Sequence, residues 1–177
     1  TRTPASATNQ KTYTWSAWVK RGNVDTSTYK GLFQCGNTWF AFDTSNCLSA
    51  NLRSGATNYI TTTTPVYRDP SGWYHVVIVV DTTQATSTNR MKLYVNGSQI
   101  TAFSASAYPT QNFASRMNLS GTTPSIGAFD LNGTRQRNLD GYLAEVNFID
   151  GQALTPSSFG STNSTTGVWQ PKQYSGT

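Results

Sequence analysis

Trp73-Tyr74-His75-Val76-Val77-Ile78-Val79-Val80-Asp81 is the stretch on which the fold turns. It is rich in β-branched residues, apolar on both faces, and bounded by Pro70-Ser71-Gly72 before it and Asp81 after it. So short a run between turn residues reads as a strand, and a strand apolar on both faces has to be covered on both. Residues 73–80 are therefore expected to form a central strand with layers above and below.

Outward from that strand, the chain is strands and turns almost throughout. After it come Met91–Val95, then Asn96-Gly97, then residues 98–103; Asn-Gly accepts positive φ at both central positions and closes a type I′ hairpin. Before it, residues 13–20 alternate, with Tyr13, Trp15, Ala17 and Val19 on one face and Thr14, Ser16, Trp18 and Lys20 on the other. Further strands are expected at 31–35, 38–42 and 48–53. Ser54-Gly55-Ala56-Thr57 is a turn into 58–63. Residues 125–129 and 140–150 close the series, the last placing Tyr142, Ala144, Val146 and Phe148 on one face. Thr155-Pro156 followed by Gly160 allows a single helical turn. Turn signals every 8–12 residues imply an all-β sandwich or barrel. The length and the doubly buried strand favour the sandwich.

Composition excludes much else. The 177 residues suit one domain, and only 12% are charged, against roughly 25% in ordinary globular proteins. Ser and Thr make up about a quarter of the chain, and Glu145 and His75 are the single glutamate and histidine, so neither a long-helix protein nor a multi-histidine metal site can be built. No apolar run approaches the ~20 residues of a membrane helix. The charge of +5 comes from thirteen basic residues spread along the whole chain, which argues against a nucleic-acid interface. Sequons at Asn96, Asn118, Asn132 and Asn163 carry meaning only in a eukaryotic secretory pathway. Cys35 and Cys47 flank one strand, two strand spacings apart, farther than a disulfide spans, so two reduced buried thiols are favoured.

Four segments together resemble a known family. Trp73-Tyr74-His75, Tyr94-Val95-Asn96-Gly97, Ser125-Ile126-Gly127 and Asp140-Gly141-Tyr142-Leu143-Ala144-Glu145-Val146, in that order, are similar to laminin G-like domains of the concanavalin A-like lectin/glucanase group. A narrower likeness links residues 14–21, 148–156 and 167–172 to lectin-like modules of bacteriophage virion proteins. The resemblance implies an all-β, concanavalin A-like jelly-roll β-sandwich of two antiparallel sheets over residues 11–160. A tail of 1–10 precedes it, and a linker-like 161–177 leads to a further region. Starting at Thr1 and stopping at Ser175-Gly176-Thr177, the chain is expected to be part of a longer polypeptide.

Fold alone assigns no function, so each site stands on its own residues. Hydrolases of this group set carboxylates two and four positions apart on one strand, where one is nucleophile and another acid. Here the last strand holds Asp140, Glu145 and Asp150 at spacings that part Asp140 from Glu145 across the sheet, and no enzyme is expected. His75 opens a core strand and is expected to be a packed, hydrogen-bonded histidine. Asp130 and Asn132 are weak candidates for calcium, but calcium wants six to eight oxygens, and Asp-x-Asn is also an ordinary turn; no cofactor is expected. Arg135 and Arg137, on a hairpin tip, would point the same way by alternation and could clamp an anionic group.

The carbohydrate candidates also follow from alternation. With Phe40, Phe42, Leu48, Ala50, Leu52 and Ile60 inward, Trp39, Asn51, Arg53 and Tyr59 gather on the outward face. Sugars suit that mixture, because a ring face rests on an aromatic and hydroxyls meet amide or guanidinium donors. The functional expectation is a non-enzymatic module on a phage virion surface, in a tail fibre, head fibre or decoration protein. Its partners would be other virion proteins and host-surface carbohydrate, and it would work as a homo-oligomer, since linked weak sites gain avidity. The alternatives are a purely structural virion module and a secreted cellular adhesion module.

Overall fold

A computed structural model describes residues 4–176. Its strands, in chain order, are β1 (Thr12–Arg21), β2 (Lys30–Cys35), β3 (Thr38–Phe42), β4 (Cys47–Ser54), β5 (Thr57–Val66), β6 (Trp73–Asp81), β7 (Met91–Val95) and β8 (Ser98–Gln99). There follow β9 (Phe103–Ser106), β10 (Ser125–Ile126), β11 (Phe129–Leu131), β12 (Thr134–Gln136), β13 (Gly141–Asp150), β14 (Gly160–Thr162) and β15 (Trp169–Pro171). A five-stranded antiparallel sheet, β13-β1-β6-β7-β8, packs on a six-stranded one, β10-β2-β3-β4-β5-β9, and this is the jelly-roll sandwich. Two short hairpins, β11-β12 and β14-β15, lie outside both sheets.

The expected alternation builds the core. Tyr13, Trp15, Ala17 and Val19 of β1 and Val76, Ile78 and Val80 of β6 face Phe33, Phe40, Phe42, Leu48, Ala50 and Leu52. Trp15 sits between Phe33 and Phe40, with ring centroids 6.1 and 5.8 Å away. β6 is central and covered on both faces: its alternate residues Val77 and Val79 join Phe159 in a second apolar cluster. Asn96 and Gly97, both at positive φ, close the β7–β8 hairpin, but β8 stops after two residues and the chain crosses to the other sheet as β9.

Two expectations change. The strand expected at 125–129 breaks at Gly127, so Phe129 starts a separate hairpin instead of extending the sheet. In β13 the pairing with β1 shifts register, and Glu145 takes a φ of 49°. That bulge puts Phe148 opposite Trp15 on the core face, while Tyr142 and Ala144 stay on the outer face with Lys20 and Trp18. Cys35 and Cys47 are both free and buried, as expected: they lie on β2 and β4 with β3 between them, and at opposite ends of β3.

The stretch after residue 160, linker-like in composition, is held against the outer face of the five-stranded sheet. β14 pairs with β15, and Trp169 donates from Nε1 to Nδ1 of His75 at 2.9 Å. The His75 ring stacks on Trp18 at 4.9 Å and on Trp169 at 5.9 Å. A Cβ on Gly97 would lie 2.8 Å from the Trp169 ring, so the hairpin turn that needs glycine for its φ needs it for this contact too.

Candidate functional site

The outward face of the six-stranded sheet is organised by cross-strand pairs. Gln34 pairs with Trp39, Trp39 with Asn51, and Asn51 with Ile60, which makes one row across β2, β3, β4 and β5. Next to it runs a row of small residues, Ala41, Ser49 and Thr62, in which Ser49 and Thr62 hydroxyls bond at 2.9 Å. Arg53 follows Asn51 on the same face, opposite Asn58. Trp39, Asn51 and Arg53 are thus brought together as expected.

Tyr59 is not. Leu52 pairs with Tyr59, so Tyr59 shares the core-side face of Leu52, while Ile60 shares the outward face of Asn51. Tyr59 sits at the core's rim, edge-on to Phe113 with ring centroids 4.9 Å apart. The cause is the turn: Ser54 pairs with Thr57, leaving a two-residue loop with Gly55 at positive φ. Counting back across that loop puts Leu52 against Tyr59 whatever the preference of Ile60 for the interior.

Trp39 is half-buried and held by aromatics from elsewhere in the chain. Tyr29 meets it edge-on at 5.5 Å, and Phe129 lies tilted at 5.4 Å. The Arg137 guanidinium sits 5.4 Å from the Tyr29 ring and 5.7 Å from the Phe129 ring. Gly31 makes this possible, because a Cβ there would come within 2.8 Å of the Phe129 ring. Tyr29 and Phe129 escaped the sequence reading, and Arg137 was expected beside Arg135 rather than on these rings; the glycine inside β2 was the one local sign of a close approach. Beside the cluster, Lys30 and Asp25 form an ion pair at 2.8 Å, and that pair with the Ser27 bonds holds the Asp25 carboxyl well below the usual range.

Arg135 and Arg137 do not point the same way. Arg137 has a φ of 53°, which ends the alternation; it stacks on the aromatics while Arg135 remains exposed in β12. Asp130 closes the β11–β12 turn by accepting the Gly133 N–H at 2.8 Å, and Asn132 occupies that turn at positive φ. No group of three or more His, Cys, Asp or Glu side chains suited to a metal ion forms among the described residues. Asn51 is buried, and its Oδ1 has no hydrogen-bond partner among the described residues. The Arg53 guanidinium donates from Nε to the Gly55 carbonyl.

His75 is inaccessible to solvent, and burial pushes its pKa down to about 4. Nδ1 accepts from Trp169, so neutral His75 carries its proton on Nε2, 2.9 Å from the Ser16 hydroxyl. It is a structural residue with both ring nitrogens engaged. On β13, Glu145 is exposed at the bulge, and Asp150 accepts from the Asn118 amide at 3.0 Å.

The family model described as the concanavalin A-like lectin/glucanases superfamily matches residues 1–158, and the chain belongs to that superfamily. Among solved structures it is similar to a native heptameric SAP-like pentraxin from Limulus polyphemus, at 21% identity and a TM-score of 0.59, over 87% of this chain and 69% of that one. It is also similar to the CBM40 of a Ruminococcus gnavus IT-sialidase bound to α2,3-sialyllactose, at 16% identity and a TM-score of 0.60, over 84% of this chain and 80% of that one. A leech intramolecular trans-sialidase matches at 16% identity and a TM-score of 0.59, over 84% of this chain but 22% of that one. At these identities the likeness is one of fold. No curated protein matches the chain.

Proposed function

We propose that the chain is a non-catalytic carbohydrate-binding module whose site is the outward face around Trp39. The observation that carries this reading is the row Trp39–Asn51, with Arg53 beside it, on a sheet face where Trp39 is braced by Tyr29 and Phe129. A sugar ring lies on the Trp39 edge left open, with hydroxyls on the Asn51 amide and the Arg53 guanidinium. Tyr59, on the other side of the strand, takes no part. Metal has no role in this reading, so binding survives a chelator.

The setting is a phage particle: the module stands on the virion surface among other virion proteins, as a homo-oligomer, and meets host-surface glycan. What supports this is the resemblance of residues 14–21, 148–156 and 167–172 to such modules. The structural alternative, protein contacts only, is favoured by apolar side chains at the other edge of the sandwich: Tyr142 is 68% exposed and Ile126 53%. A glycan array probed with the protein and with Trp39→Ala decides between them. Selective binding that Trp39→Ala abolishes supports the module. Binding that Trp39→Ala leaves intact moves the site elsewhere, and silence across the array with a stable oligomer by light scattering supports the structural alternative.

A further inference from the structure

The sandwich is not closed along one edge. Where β13, the last strand of one sheet, faces β2 and β10 at the edge of the other, a cleft of about 670 Å³ opens, within the size range of small-molecule sites. Phe33 and Phe148, stacked at 5.6 Å, form its inner wall together with Met117. Ile126 pairs with Phe33, so register assigns it to the core face, yet it is 53% exposed. A core-facing isoleucine with half its surface open marks apolar lining that none of the described residues covers. The N-terminal residues form the outer rim: Thr8 donates to the Asn118 carbonyl at 3.3 Å, and Gly121 to the Pro4 carbonyl at 3.1 Å.

Two charged side chains line this cleft, and they differ. Asp150 is engaged by the Asn118 amide at 3.0 Å. Arg135 is exposed and makes no ion pair or side-chain hydrogen bond among the described residues. Arg135 therefore offers open donors beside an apolar wall, while one oxygen of Asp150 is already taken. Guanidinium forks match carboxylates bidentately, while a polyhydroxylated sugar finds few partners on Phe, Met and Ile.

The geometry points to this cleft as a site for a free anionic amphiphile, a medium-chain carboxylate whose alkyl body lies along Phe33, Phe148 and Ile126 and whose head pairs with Arg135. It lies apart from the Trp39 face and does not depend on it. The probes are dodecanoate, dodecanol and dodecyltrimethylammonium, titrated calorimetrically below their micelle concentrations against the protein, Arg135→Gln and Ile126→Trp. Both side chains are exposed, so thermal melts of the variants should match the parent. Dodecanoate should bind, dodecyltrimethylammonium at least tenfold more weakly. Arg135→Gln should weaken dodecanoate about tenfold and leave dodecanol unchanged, and Ile126→Trp should block both. Failure of dodecanoate to bind, equal binding of the ammonium probe, dodecanoate affinity unchanged in Arg135→Gln, or unchanged binding in Ile126→Trp would each overturn the assignment. A response only to vesicles, with none to the monomeric probes, would overturn it in favour of a membrane surface.

Discussion

On the five-stranded sheet, the outward residues Ser16, Trp18, His75, Val77 and Val79 are roofed by Leu154, Phe159, Trp169 and Tyr174 from the end of the chain. On the six-stranded sheet, the outward row Gln34, Trp39, Asn51 and Ile60 has, among the described residues, its aromatic ring contacts at Trp39. The first face is roofed over its centre: Val77 and Phe159 are buried, and the His75 ring beneath the roof has both nitrogens bonded. The second keeps a half-buried indole and an amide oxygen without a partner among the described residues. Trp18 Nε1 on the first face also lacks a partner among the described residues, so what distinguishes the second face is its half-buried indole beside polar side chains. On the proposed reading the roofed face serves stability and the open one recognition, and substitutions should separate the two.

The largest effect should come from Trp169→Ala, which removes the stack on His75 and the bond to Nδ1. A loss of about 3 kcal/mol, or roughly 10 °C in Tm, is expected in a thermal melt. Next is acid. The folded pKa of His75 is depressed to about 4, so the unfolded chain binds a proton that the folded chain refuses. Stability conferred by the neutral ring is complete above pH 6.5 and is lost as pH falls from there to about 4, by up to about 3 kcal/mol. Denaturant melts across that window should show the loss in the parent and a much smaller one in His75→Gln. An equal loss in both would place the acid-sensitive group elsewhere.

The open face should respond in the opposite sense, with function moving more than stability. Trp39→Ala is expected to cost about 1 kcal/mol in denaturant melts, because the indole is half-buried, while abolishing glycan binding. Asn51→Leu removes an amide oxygen that has no partner, so stability should stay within about 0.5 kcal/mol while array signal falls tenfold or more. The smallest effect belongs to Tyr59→Phe. Its hydroxyl reaches Thr110 at only 3.5 Å, and it lies on the core side of β5, so less than about 0.5 kcal/mol and no change in glycan binding are expected. A glycan defect in Tyr59→Phe would restore it to the site and contradict the register.

Much of this was legible along the chain. Alternation placed Tyr13, Trp15, Phe40, Leu48 and Leu52 inward, and residues 73–80 as a strand covered on both faces. Those assignments rest on period and apolar content, properties that neighbouring residues share and that tertiary context reinforces. Trp39, Asn51 and Arg53 fell on one face for the same reason. Tyr59 did not, because the preference of Ile60 for the interior was allowed to outweigh the count across a two-residue turn. At Arg137 and Glu145, alternation itself fails, since each takes a positive φ that only the packing around it selects.

The sequence by itself determined the class of fold, the strands and the inward face of most of them, because hydrophobic period is a local quantity. It also determined that no paired carboxylates of the hydrolase spacing exist. Only the tertiary structure decided that Trp169 would roof His75 across 94 positions, that Phe129 and Tyr29 would brace Trp39, and that Ile126 would be left at an open edge. Those outcomes depend on where bulges shift register and on which distant segment reaches a given face first. Such contacts are set by the geometry of two sheets closing on each other, and no short window of residues contains that geometry.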